Sequence, residues 1–221
     1  GIMREYFLMF NFPVKGAIEK AISMGVPEHT LVLLLLLPVV AFVIAFSRNV
    51  VGIRGFGIFL PAALAISFVA TGPATGIGLF LVIVSVSTMV RMMLRKFKLK
   101  LQYLPRMALI LWASVIGVLA VMLTFPQNVS IFAVLILILL AEDFIRVQSG
   151  KSIKTALGLT METLVLALIS YFFLTLVPLQ NFVLTNPEIS LITIGILDFL
   201  LAKYSGLRIM EMYRFRKLIS S

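Results

Sequence analysis

Apolar residues run along this chain in long blocks, and polar residues are confined to the short gaps between them. Seven blocks stand out, at about 30–47, 55–71, 73–94, 104–125, 128–143, 156–177 and 187–203. A bilayer core of about 30 Å needs about 20 apolar residues as helix. A backbone without water must satisfy its own hydrogen bonds, so helix is the expected form. The pattern predicts an all-α, polytopic membrane fold with seven transmembrane helices. The second and fifth blocks are short, which predicts a tilt, a kink or a partly re-entrant path. Ahead of the first block, VKGAIEKAISMGVP places Val14, Ile18, Ile22 and the alanines on one helical face, as in an interfacial helix. The chain thus divides into a juxtamembrane segment (1–29), a seven-helix membrane domain (30–203) and a basic tail (204–221).

The gaps alternate in charge. Arg48 and Arg54 follow the first block. RMMLRKFKLKLQYLPR follows the third, Arg146, Lys151 and Lys154 follow the fifth, and Lys203, Arg208, Arg214, Arg216 and Lys217 follow the seventh. The gaps TGPAT, PQN and PLQNFVLTNPE hold no basic residue. Arg4, Lys15 and Lys20, ahead of the first block, are balanced by Glu5, Glu19 and Glu28. The positive-inside rule then predicts an N-terminus outside and a C-terminus inside. If the short second block failed to cross, Arg48 and Arg54 would fall opposite every later basic gap, so seven crossings fit. An N-out start with no cleavable signal pattern predicts an upstream part that exports it.

Composition agrees with this class: 61% of residues are hydrophobic, 13% are charged, and mean hydropathy is +1.13. The net charge of +10 would suit nucleic acid, but its confinement to the gaps is a topological footprint, and anionic lipid headgroups are the better partners. There is no Cys and one His, which excludes disulfides, thiolate chemistry and most metal sites built from protein ligands. HExxH, nucleophile-elbow and P-loop patterns are absent, so no catalytic residue, cofactor or metal is predicted.

The acids inside the blocks carry the candidate chemistry, because a carboxylate there is costly unless protonated or partnered. Glu162 lies about 12 Å inside the basic end of the sixth block, and Asp198 lies in the basic half of the seventh. They read either as a proton or cation relay or as helix–helix hydrogen bonds with snorkelling to the headgroups. Glu142 and Asp143 close the fifth block. They point about 100° apart on a helix, so they predict either a polar cluster with Arg54 or Arg208 or local pairing with Arg146. His29 reads as a headgroup-level residue and Trp112 as a packing residue.

The stretches SRNVVGIRGFGIF and AKYSGLRIMEMYRF each hold a basic residue followed by Gly-aliphatic-Arg. In each, the glycine suits a left-handed helix cap and the arginine complements the helix dipole. Gly55 and Gly57 predict close helix approach, and Pro61 predicts a broken intrahelical bond near mid-membrane. With the run from Val26 to Phe68, these stretches resemble the bacterial family of seven transmembrane helices usually fused to an inactive transglutaminase-like domain. The matched positions are Gly52, Arg54, Gly57 and Pro61, then Gly206, Arg208, Glu211, Arg214 and Arg216. RGFGIFLPAALA, together with SVSTMVRMMLRKFKLKLQYLPRMALIL, is also similar, over a shorter span, to the small membrane subunit of poly-γ-glutamate synthesis.

Both families are associated with ATP-dependent amide-forming ligases. The resemblance therefore implies a non-enzymatic module in the bacterial inner membrane, joining an upstream extracytoplasmic domain to an ATP-grasp-type peptide or glutamate ligase. The alternative is a transporter or channel for a peptide or amino-acid-derived solute, using Glu162, Asp198 and an arginine.

Overall fold

The computed structural model describes residues 14–97, 102–124, 129–150, 152–204, 206, 209, 211 and 212. The described residues form helices α1 (Val14–Ser23), α2 (Glu28–Phe46), α3 (Phe59–Thr71), α4 (Pro73–Lys96) and α5 (Tyr103–Thr124). They continue with α6 (Ile131–Gly150), α7 (Ile153–Thr175), α8 (Val177–Thr185) and α9 (Pro187–Ala202). Two compact units result, one from Gly1–Ile53 with Phe172–Ser221 and the other from Arg54–Tyr171.

In the first unit α2 is apolar on every side and buries Val32, Leu36, Val40 and Ile44. Pro38 sits inside it, so the carbonyl one turn earlier has no N–H to accept. The helix does not stop at Phe46. Ser47–Val51 continue as a π-helical turn, closed by Gly52 at φ 97°, whose N–H donates to the Ser47 carbonyl at 3.0 Å. A left-handed cap of this kind favours glycine, which has no Cβ to clash.

The stretch PLQNFVLTNPE is not a simple connection. Most of it is the helix α8, with Pro178 in its first turn, where a missing N–H costs nothing. Asn186 ends it ahead of Pro187, and α9 leaves at 107° to α8. Gln180 Nε2 closes the preceding turn by donating to the Leu174 carbonyl at 2.6 Å. The short helix α1 half-buries Val14, Ile18 and Ala21 on one face, and its Lys15 N–H donates to Glu188 Oε1 at 2.9 Å. Glu188 thus ties the start of α1 to the start of α9, where a carboxylate also favours both helix dipoles.

In the second unit α4 is central, with α3, α5 and α6 packed on it. Leu64, Phe68, Ile83, Leu137, Leu140 and Ala167 form the buried core. Small residues let the backbones approach. Ser87 and Ser114 share a buried hydrogen bond of 3.2 Å between α4 and α5. A Cβ on Gly117 would meet Val86 Cγ2 at 2.8 Å, and one on Gly76 would meet the Phe68 ring at 2.6 Å. This is the expected packing for helices in lipid, where burial of apolar surface supplies little drive.

Glu28–Val51, Pro73–Lys96, Tyr103–Thr124 and Lys154–Thr175 are each long and apolar enough to span a membrane. Of the other predicted spans, α6 is 20 residues long but carries Glu142, Asp143 and Arg146 inside it. The helix itself runs on past the fifth block to Gly150, with Glu142 and Asp143 paired to Arg146 within it. Trp112, read as a packing residue, instead turns outward, 65% exposed among Leu111, Val115 and Ile116 on the lipid-facing side of α5.

Candidate functional site

The short second span has a physical explanation. Helix α3 has 13 residues, about 20 Å, which falls short of the bilayer core. The residues before it, from Gly52 to Ile58, are not helical. Gly55 lies directly on α7: a Cβ there would meet Leu166 Cδ1 at 3.2 Å and Thr163 Oγ1 at 3.3 Å. Next to it, the Phe56 N–H donates to Thr163 Oγ1 at 3.0 Å, while the same hydroxyl donates to the Leu159 carbonyl at 2.7 Å.

Thr163 lies about 15 Å along α7 from its start, so non-helical backbone reaches well into the helical layer. Such backbone is tolerated at membrane depth only where protein satisfies it, and the Thr163 hydroxyl does so. The second span is thus made of a non-helical stretch followed by a short helix.

This corrects the readings of Gly57 and Pro61. Gly57 has open space around its Cβ position and serves a backbone at φ 58°, not close approach. Pro61 is buried in the first turn of α3, where no intrahelical bond is lost, so it starts the helix and does not break it mid-membrane.

Arg54 is exposed, and Glu162 is half-buried. Each is one residue away from the Gly55–Thr163 contact. Glu162 Oε2 is buried with no hydrogen-bond partner among the described residues, and so are the hydroxyls of Thr160 and Ser170 on the same helix. Sequence reasoning missed Thr163, Thr160 and Ser170. The signal available was their spacing of three and seven along a mostly apolar helix, which places them on one face.

A second polar group lies where α5 begins and α4 and α6 run toward their C-terminal ends. Arg146 bonds Glu142 Oε1 at 2.8 Å and approaches Asp143 Oδ1 at 3.4 Å. The Tyr103 hydroxyl also donates to Glu142 Oε1. Arg106 lies over the Tyr103 ring, 5.8 Å from its centroid, and Arg91 donates to the Ile145 carbonyl at 3.3 Å. The partner of Glu142 and Asp143 here is Arg146, not Arg54. Tyr103 is the member that the sequence did not single out.

Asp198 is half-buried on α9 in the other unit, Gly206 is exposed, and Glu211 is half-buried in a helical turn. Arg208, Arg214 and Arg216 lie outside the described residues. Among the described residues no group of three or more His, Cys, Asp or Glu is placed to hold a metal ion.

An all-helical fold with lipid-facing apolar surfaces, small-residue helix contacts and a non-helical stretch sealed by a threonine defines a polytopic membrane protein. Residues 22–219 match the family of seven transmembrane helices usually fused to an inactive transglutaminase, and the chain belongs to that family. Comparison with curated proteins and with solved structures returned no match.

Proposed function

We propose that the chain is a non-enzymatic module of the bacterial cytoplasmic membrane. In this reading it couples an extracytoplasmic domain, of the transglutaminase-like kind its family usually carries, to a cytoplasmic ATP-dependent peptide or glutamate ligase. The observation that carries the proposal is the charge arrangement at the shared ends of α4, α5 and α6. Glu142 and Asp143 are engaged by Arg146 and Tyr103, so the exposed cations Arg95, Lys96 and Arg106 are left in excess at that end. A face of this kind suits an acidic partner or an acidic, glutamate-rich product.

The test is co-purification from membranes with an ATP-grasp-type ligase of the same cell. Capture should be salt-sensitive and should fall with the double reversal Arg95→Glu, Lys96→Glu. Capture that ignores both salt and the reversal overturns the docking role.

A second reading, a transporter or channel for a peptide or amino-acid-derived solute, is favoured by one observation. The buried, unpartnered oxygen of Glu162 lies beside the non-helical stretch of the second span, and discontinuous spans are where carrier sites are built. Solute flux in proteoliposomes that disappears in Glu162→Gln would establish this reading and displace the scaffold.

A further inference from the structure

Helices α5 and α6 both pack chiefly on α4 and leave a groove between them. The groove has a volume of about 390 Å³, within the range of small-molecule sites. Its walls are Met107, Ile110 and Leu111 from α5 and Leu135, Ile138 and Leu139 from α6, with Ala108 completing the α5 side. Leu111, Leu135 and Leu139 are 40–53% exposed, so the groove opens to the surroundings, which for these helices are lipid. Glu142 is the polar member of the lining.

Glu142 joins the groove to the Tyr103–Arg146–Arg106 group described above, so one feature presents an apolar channel with a charged head. That head is net basic. Arg146 pairs with Glu142 and Asp143, Arg106 lies over the Tyr103 ring, Arg91 bonds the Ile145 carbonyl, and Arg95 and Lys96 are exposed at the end of α4. Arg146 is 63% exposed on its side chain and Arg106 is exposed, so both guanidiniums keep donors free for a further anion.

We infer that the α5–α6 groove is a seat for one anionic phospholipid, with an acyl chain along Leu111, Leu135 and Leu139 and its phosphate on Arg106 and Arg146. The chemistry on each part selects this occupant. Lipid-facing aliphatic walls accept a hydrocarbon chain without displacing ordered water. Paired arginines bind phosphate oxygens in a fork geometry, and basic pockets between transmembrane helices favour anionic headgroups. Glu142 and Asp143 orient Arg146 at the mouth and exclude an unshielded anion from passing deeper. The site does not depend on the ligase reading: it predicts a bound lipid whether or not a soluble partner docks nearby.

The experiment is native mass spectrometry of the purified protein after exchange into nanodiscs of phosphatidylcholine with phosphatidylglycerol. The expected result is one retained phosphatidylglycerol per chain, in preference to phosphatidylcholine. Ala108→Trp, which fills the groove from a lipid-facing position, should abolish retention. Leu123→Trp, at an 88% exposed position of the same helix, should leave it intact and controls for folding.

Arg106→Gln should weaken the preference about fivefold. Arg146→Gln should weaken it more, because it also frees Glu142 and Asp143. Glu142→Gln should strengthen it. Equal retention of both lipids, retention that survives Ala108→Trp, or weakening by Glu142→Gln would each overturn the assignment. So would a dimer that Ala108→Trp dissociates, since the groove would then be covered by a second copy.

Discussion

At the scale of single residues the argument rests on Thr163. Its hydroxyl accepts from the Phe56 N–H and donates one turn back to Leu159, so it satisfies non-helical backbone inside the helical layer. Thr163→Val keeps the shape and removes the acceptor, leaving a buried N–H unpaired at a cost of about 1–3 kcal/mol. Thr163→Ser keeps the hydroxyl and should fall well below that. The midpoint of thermal unfolding in detergent, compared across the two variants, decides it. Equal midpoints would show that the hydroxyl is not what holds the segment.

Gly55→Val tests the same contact from the other side. Its side chain would press on Leu166 and Thr163 where the Cβ alone already sits at 3.2 Å, so it should destabilise by more than Gly57→Ala. At Gly57 the cost is only that of a left-handed backbone.

At the scale of elements, the helical type of every apolar block was legible, because each block had to satisfy its own backbone in lipid. Two element-level features were not. Helix α8 was hidden because Pro178, Gln180 and Asn181 carry turn chemistry, yet a proline in a first turn starts a helix as readily as a later one stops it. The end of α6 was hidden because Glu142 and Asp143 looked like a boundary. Their neutralisation by Arg146, one turn on, is a property of helical spacing that only matters once the helix is granted.

The polar group at Tyr103 was illegible for a different reason: it joins positions 39 and 43 residues apart, and a single sequence does not report such contacts. The α4–α5 pair offers an element-scale test. Gly117→Leu would insert a side chain where even a Cβ lies 2.8 Å from Val86, and should separate the helices and break the Ser87–Ser114 bond. Ser87→Ala removes that bond alone and should cost about 0.6 kcal/mol, the average for hydrogen bonds between membrane helices. A Gly117→Leu protein as stable as Ser87→Ala would mean that α4 and α5 are not held by close backbone approach.

At the scale of the whole molecule, the strongest claim available from charge is topological. Every basic gap after the first block falls on one side only if the second span crosses despite the brevity of α3. The non-helical residues ahead of α3 make that crossing physically acceptable, since they lead into the short helix and their part-buried amide at Phe56 is bonded to Thr163. The chain has no cysteine, so a single introduced cysteine can report sidedness without any native thiol having to be removed. Ser152→Cys, between α6 and α7, should react with a membrane-impermeant maleimide only from the cytoplasmic side. Ser130→Cys, just ahead of α6, should react only from the opposite side. Labelling of both from the same side would remove α6 as a crossing, and labelling with the sides exchanged would reverse the orientation. In the second case the excess of Arg95, Lys96 and Arg106 would face away from any cytoplasmic ligase, and the coupling proposal would fall with the topology that supports it.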